Sequence, residues 1–402
     1  MIKRIRYYIF LRDVLVMAVS AFGGAQAHFA MLIKIMVKKR GYLTEEELIE
    51  LNALCQILPG PTSTQTITAI GFRIGGANLA YLTLLVWMLP AVAVMTTAAI
   101  LVDSYQTKNL SLEFTRFIQP MAVGFVSYGA YIIASKVVTT RTAGGLMALS
   151  AIVTYFISKP IALPLVLIFA GTLTAFKYKK QAPEEKQKVK IKWGNFTLWA
   201  LVLVTAAGLG AVTQDRFVLL FENFYRNGSL IFGGGQVLIP FLHTEFVEFK
   251  GFLTSEEFLS GFAMVQAVPG PVFSVSSFVG ALSVREMGLG AQILGGFVAA
   301  CGIFLPGTFL IFFVIRFWDD LKRYRVVRAS LEGINAASAG MVAAAAFVLF
   351  QPIQNNVLNV SVIIQKFQTF GKLILLKAYK FVISKFRLTP VSLTSKVAGT
   401  PQ

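Results

Sequence analysis

Apolar stretches close to the ~20 residues needed to cross a bilayer recur along the chain, at Leu79–Val102, Ile118–Val138, Leu198–Val212, Leu289–Ile315 and Ile334–Phe350. Two more, Ala143–Ser158 and Ile161–Phe176, read as a hydrophobic hairpin broken at Lys159-Pro160. This pattern predicts an all-α polytopic membrane protein. Lys3, Arg4 and Arg6 ahead of the first apolar stretch resemble the start of a signal peptide. With so many later spans and no small-residue cleavage site, an uncleaved first segment is expected.

Other apolar stretches are interrupted, and the interruptions occur twice. FGGAQAHFAML around Phe22 precedes GYLTEEELIELNALCQILPGP ending at Pro61; FGGGQVLIPFL around Phe232 precedes GFLTSEEFLSGFAMVQAVPGP ending at Pro271. Phe22, Gly23, Gly24, Gln26, Gly41, Leu43, Thr44, Glu46, Glu47, Gln56, Pro59, Gly60 and Pro61 all recur at one constant offset, without a gap. The period is far longer than the roughly 20–50 residues of a solenoid repeat. It predicts two homologous halves, residues 1–176 and 193–402, joined by a basic linker at 177–192 with seven lysines against two glutamates. Beyond about residue 352 an atypical lysine-bearing tail follows, which fits a basic amphipathic helix at a membrane surface.

Composition agrees with the pattern: 56% of residues are hydrophobic, 14% are charged, and mean hydropathy is +0.69. Soluble domains carry about 25% charged residues. The net charge of +18 falls mainly in short loops, where it sets orientation rather than binding nucleic acid. Arg316–Arg328 is strongly basic while its counterpart Asp103–Arg116 is nearly neutral; Lys34–Arg40 is basic while His243–Lys250 is not. Each basic loop thus faces a non-basic counterpart, which predicts an inverted-topology repeat. Three crossings between the repeated cores, an odd number, give the same parity.

The paired breaks are where chemistry is expected. Adjacent glycines Gly23-Gly24 and Gly233-Gly234-Gly235 weaken a helix and let neighbours approach the backbone. A helix cannot continue through Pro59-Gly60-Pro61 or Pro269-Gly270-Pro271, because proline removes a donor and clashes with the preceding turn. Each such motif must end one helix and start another, as a broken or a re-entrant segment. The new helix starts offer free N–H groups and a positive dipole end to an anion, and Ser63, Thr64, Gln65 and Ser274 add neutral donors. Gln56 and Gln266 sit just ahead of the turns, and Gln26 and Gln236 just behind the glycines. Irregular backbone at membrane depth is tolerated only where protein or a water-filled cavity satisfies it.

Other features read more plainly. Thr44–Glu47 and Thr254–Glu257 fit a capping box. Cys55 and Cys301 lie in apolar surroundings and indicate neither disulfide nor metal cluster. His28, just past the first glycine break, either titrates as a coupling residue or packs through hydrogen bonds. Arg73 either balances anionic charge or reaches the interface. Neither has a counterpart at the fixed offset. No phosphate-binding loop, metal-protease motif or metal-ligand spacing occurs, so neither an enzyme nor a cofactor is expected and secondary transport is the default.

The FGGAQAHFAM, GYLTEEE and QILPGPTSTQ segments, repeated as FGGGQVLIP and QAVPGPVFS, resemble the chromate ion transporter family in its two-domain form, over roughly residues 10–350. The resemblance implies a prokaryotic inner-membrane protein that exports chromate and confers resistance, powered by membrane potential or a proton gradient. It carries over to Gly23, Gly24, Gln26, His28, Gln56, Pro59, Gly60, Pro61, Ser63, Thr64 and Gln65, and to Gly233, Gly234, Gly235, Gln236, Gln266, Pro269, Gly270 and Pro271. Ala25 departs from the proline that many members place there. Expected partners are a dianionic oxyanion and the bilayer, with a homodimer left open. A sulfate transporter, an uncoupled oxyanion channel and a membrane-embedded reductase are the alternatives, the last disfavoured by the lack of any flavin, haem or metal signature.

Overall fold

A computed structural model describes residues 2–22, 24–107, 115–157, 159, 161–176, 193–232, 235, 237–315 and 325–356. The linker 177–192, most of the basic loop 316–328 and the tail beyond 356 lie outside them. Residues 1–351 form one compact unit, and of the second unit, 352–402, only 352–356 are described.

Among the described residues the chain forms fourteen α-helices and no strand. In half one these are α1 (Ile2–Ser20), α2 (Gly24–Leu32), α3 (Glu45–Ile57), α4 (Thr62–Thr107), α5 (Thr115–Val137), α6 (Arg141–Phe156) and α7 (Ala162–Ala175). Next comes α8 (Gly194–Thr213), followed by α9 (Arg216–Leu230), α10 (Leu238–Leu242), α11 (Ser255–Ala267), α12 (Val275–Leu282), α13 (Leu289–Val314) and α14 (Arg325–Asn356). The apolar stretches read from sequence fall in α4, α5, α8, α13 and α14, and the predicted hairpin is α6 with α7. Among the described residues four helices are long and apolar enough to cross a membrane.

The interrupted segments fold back on themselves. α1 runs to the first glycine break and α2 returns beside it: Asp13 pairs with Arg40 at 2.6 Å, and Phe10 packs edge-on against Tyr42. In half two α9 and α10 are joined the same way, with Phe224 stacked on Phe246 at 4.6 Å and Arg226 reaching Glu245 at 3.2 Å. α3 and α11 then lead to the PGP turns, and the chain returns again. Glu47 on α3 pairs with Arg73, and Glu257 on α11 pairs with Arg285. α3 and α11 have 13 residues each, about 20 Å of helix at ~1.5 Å per residue, against a hydrocarbon core of ~30 Å. Helical hairpins therefore turn back at the FGG and PGP motifs, rather than running on as kinked continuous helices.

The sequence between Lys34 and Arg40, read as a basic loop, is instead a π-helical extension of α2, Ile33–Lys39; its counterpart His243–Phe249 extends α10. The wider turns close through the same bonds in both halves, Arg40 N–H to Ile35 and Lys250 N–H to Glu245, each at 3.0 Å. Lys250 is drawn into this turn; burial pulls its pKa below the ordinary lysine value, and Glu245 opposes the shift. The next helices start as the sequence predicts. Thr44 and Thr254 accept from the backbone of Glu47 and Glu257, whose carboxylates accept in return, closing two capping boxes.

α4 folds back once more at Gly75-Gly76, where the backbone leaves helical geometry. Trp87 on the long arm, 77–107, donates to Thr64 on the short arm, 62–74, at 3.1 Å. In half two the break lies between α12 and α13, with Gly280 against Ala299. The long arm of α4 and α13 are equivalent, and Leu89-Pro90-Ala91 in one matches Leu305-Pro306-Gly307 in the other. They pack on each other in opposite directions: Tyr81 lies against Phe309, Thr96 against Gly296, and Asp103 accepts from Gln292 at 2.6 Å. Equivalent helices that pair antiparallel require a dyad perpendicular to them. The two halves are inverted relative to each other.

The halves are not equally enclosed. α11 is buried over most of its length, against α12 and against α5 of half one. α3 leaves Glu46, Ile49, Glu50, Ala53 and Gln56 exposed. α14 packs through small residues, with Gly333 against Ala170, Gly340 against Met147, and Ser150 donating to the Ala337 carbonyl. Such residues let membrane helices approach closely.

Candidate oxyanion site at the hairpin tips

Each PGP turn is hydrogen-bonded to the other half. The Gly60 N–H donates to Ile231 O at 2.8 Å, and the Gly270 N–H donates to Ala21 O at 2.9 Å. Ile231 and Ala21 are equivalent residues, each immediately ahead of a Phe-Gly-Gly break. Each turn therefore satisfies a carbonyl left open at the end of the opposite hairpin's first helix. Gly60 and Gly270 adopt φ of +115° and +106°, a region that side chains rarely enter. A Cβ on Gly60 would lie 3.2 Å from Gly307 Cα, and one on Gly270 would lie 3.1 Å from Ala91 Cβ. The small residue after the proline of each long helix thus receives the other half's turn.

The two tips differ in polarity. In half one His28 sits between both: its Nε2 is 3.2 Å from Ala21 O, the same carbonyl that Gly270 uses, and its Nδ1 is 3.0 Å from Ser63 Oγ. Trp87 packs edge-on against the imidazole while donating to Thr64. The Gln65 Nε2 donates to Pro59 O at 2.8 Å and to Gly307 O at 3.1 Å. These contacts fix the amide's orientation, since the reverse would set Oε1 against two carbonyls. At the equivalent places half two has Leu238, Phe273, Ile303 and Val275, with Ser274 matching Thr64.

Buried side-chain atoms without a hydrogen-bond partner gather here. Of seven such atoms among the described residues, five lie on Gln65, Thr68, Gln266, Ser274 and Ser277, within two turns of a PGP motif. Native interiors satisfy most of their polar groups, so this concentration marks a place that takes water or a polar ligand. α4 begins at Thr62, so its first-turn N–H groups and dipole face the same region.

The remaining candidate residues fall as follows. Pro59 and Pro61 are buried at the first tip, and Pro271 at the second; Pro269 is partly exposed. Gly24 begins α2, and Gly235 lies against Val272 just after the second turn. Gln56 is exposed on the outward face of α3, whereas Gln266 is partly buried, because α5 covers α11. Gly23, Gly233, Gly234, Gln236 and the side chain of Gln26 lie outside the described residues.

Arg73 requires a correction. It does have a counterpart, Arg285. Each bridges the capping-box glutamate of its half, Arg73 to Glu47 at 3.4 Å and Arg285 to Glu257. The return in half two opens with a short 3₁₀ turn and Arg285 begins another; the arginine stands two residues beyond the fixed offset, where Ser283 falls, and so escapes a fixed-offset comparison. Both lie at the end of the return away from the PGP turn, so Arg73 does not balance charge at the tips. Trp87 and the paired Leu-Pro-Ala/Gly segments are the site elements that sequence reading missed; the repeated prolines Pro90 and Pro306 were the available signal for the latter.

A family profile described as Chromate transporter matches residues 9–175 and 218–399. The second match includes the lysine-bearing tail. The chromate transport protein of Pseudomonas aeruginosa is 25% identical over 94% of this chain and 88% of its own length. That of Cupriavidus metallidurans is 23% identical over 82% and 79%. An uncharacterized transporter of Methanocaldococcus jannaschii is 24% identical over 81% and 79%. No solved structure matches the chain. With two profile matches that coincide with the two inverted halves, and with apolar helices able to cross a bilayer, this multi-pass membrane protein belongs to the chromate transporter family.

Proposed function

We propose that the chain is a secondary transporter that exports chromate across the inner membrane of a prokaryotic cell and so confers chromate resistance. The observation that carries this reading is the reciprocal docking of the PGP tips, with unsatisfied buried donors around them. Backbone N–H groups after Pro61, with Thr64, Ser63, Gln266 and Ser274, offer neutral hydrogen bonds to a tetrahedral dianion. Neutral donors suit an anion that must be released as well as bound. Inverted halves supply two equivalent arrangements of one fold, the basis of alternating access, and exchange of the tip contacts would open the site to one side or the other. The names of the relatives support chromate as the substrate.

Inverted membrane vesicles test the reading. Radiolabelled chromate should accumulate against its gradient, and an uncoupler should abolish accumulation. Accumulation that stops at the Nernst ratio of a dianion for the imposed membrane potential, with no dependence on an imposed pH gradient, would point to a channel. Transport of sulfate in place of chromate would move the substrate to another oxyanion.

A further inference from the structure

His28 is the one titratable side chain among the described residues that hydrogen-bonds into the tip of half one, and its two contacts fix its state. Ala21 O can only accept, so the imidazole proton lies on Nε2. In the neutral ring Nδ1 is then an acceptor, and at 3.0 Å it takes the Ser63 hydroxyl proton. Ser63 stands at the start of α4, beside the first-turn N–H groups, but in this state its only proton points at His28.

We propose that His28 is a proton-binding switch that controls oxyanion affinity through Ser63. When Nδ1 takes up a proton, both ring nitrogens become donors. The His28–Ser63 bond reverses, Nδ1–H donates to Ser63 Oγ, and the hydroxyl proton is freed to donate to an anion at the helix start. The same step places a positive charge beside that anion. Thr64 is ready in either state, because its oxygen already accepts from Trp87 and its own proton is free. Proton and anion each favour the other's binding, as linkage requires, and the two cross together. One proton carried with a dianion leaves a net negative charge, so a membrane potential that is negative inside still drives export.

The surroundings leave this assignment to His28. Its partners are Ala21, Ser63 and the Trp87 ring. The ionisable residues on the elements packed against it are Arg4, Arg6, Tyr7, Tyr8, Arg12 and Asp13 on α1, Lys34, Lys38 and Lys39 beyond α2, and Arg73, Tyr81, Asp103 and Tyr105 on α4. None of these is among the hydrogen-bond or ring partners of His28. Half two carries Leu238 and Phe273 in place of His28 and Ser63, so the switch occupies one half only.

The inference rests on the transport reading, and its test separates the two. Binding of radiolabelled chromate to the purified full-length protein in nanodiscs is measured at pH 6 and pH 8 for wild type, His28→Gln and Ser63→Ala. Chromate's own protonation is common to all three proteins, so the readout is the difference between them. Wild type should gain about fivefold or more in affinity from pH 8 to pH 6 beyond the change that either variant shows over the same interval. If His28→Gln does not fold, Ser63→Ala alone decides. A pH ratio shared by all folded proteins would overturn the switch but not the transport reading. Absence of chromate binding to wild type at both pH values would overturn both.

Discussion

Replacing Gly60 with alanine perturbs the tip at three points. The backbone at φ +115° costs a side-chain-bearing residue about 1–3 kcal/mol. The new Cβ would stand 3.2 Å from Gly307 Cα and 3.1 Å from Gln65 Nε2, so a backbone and a pinned amide must both give way. If the turn rotates to relieve this, the bond from the Gly60 N–H to Ile231 O is lost, worth about 1 kcal/mol. The sum is about 2–4 kcal/mol against the docked tips. Because about 1.4 kcal/mol is a factor of ten in rate, chromate flux should fall at least tenfold. Purified protein should lose its monodisperse peak at a lower temperature. Two controls frame the result. Gly41→Ala has positive φ but open space around its Cβ, and should cost about 1 kcal/mol with flux retained. Gly145→Ala sits in helix α6 with open space, and should be neutral or slightly stabilising. Wild-type melting and flux in Gly60→Ala would refute the docking.

The two capping glutamates should respond differently to loss of their arginines. Glu257 is 3% exposed and Arg285 29%, so Arg285→Met removes a charged hydrogen bond from a buried carboxylate and should cost about 1.5–3 kcal/mol in a denaturation series. Arg73 and Glu47 are 41% and 47% exposed, so Arg73→Met should cost at most about 1 kcal/mol; equal losses would contradict the asymmetry. Lys39 and Phe249 are equivalent exposed positions at the ends of the two π-helical turns. Lys39→Cys and Phe249→Cys should react with an impermeant maleimide from opposite sides of the membrane, and labelling from one side would contradict inversion.

Much of this architecture is legible in the sequence because its largest features are set by local physics. A proline-glycine-proline triplet must end a helix, Thr-x-x-Glu closes a capping box, and the distribution of lysine and arginine among segments records which way each half faces. The inversion read from charge agrees with the antiparallel pairing of α4 and α13. What local rules could not supply was where the chain goes after each break. Gly75 and Gly76 have no proline near them to mark a turn, and only the packing of Thr64 against Trp87 reveals the fold-back. The reciprocal bonds from Gly60 and Gly270 join residues from opposite halves through backbone atoms, and main-chain bonds leave no side-chain signature. Arg285 was hidden because it stands two residues beyond the fixed offset, at which Ser283 meets Arg73.

The difference between the halves matters as much as their likeness. The duplication provides two hairpin tips that dock on each other, while the polar residues that could handle a proton, His28 and Ser63, are found at one tip alone. The α3 surface is open where the α11 surface is covered, so equivalent hairpins occupy unequal surroundings in the same molecule.

The most direct test of the central claim is to locate chromium in the protein. Crystals grown with chromate and measured at the chromium absorption edge should give an anomalous peak at the tips, within hydrogen-bond reach of the N–H groups following Pro61 and close to Ser274. A chromium peak elsewhere in the molecule, with the two PGP tips separated and free of anion, would contradict the account.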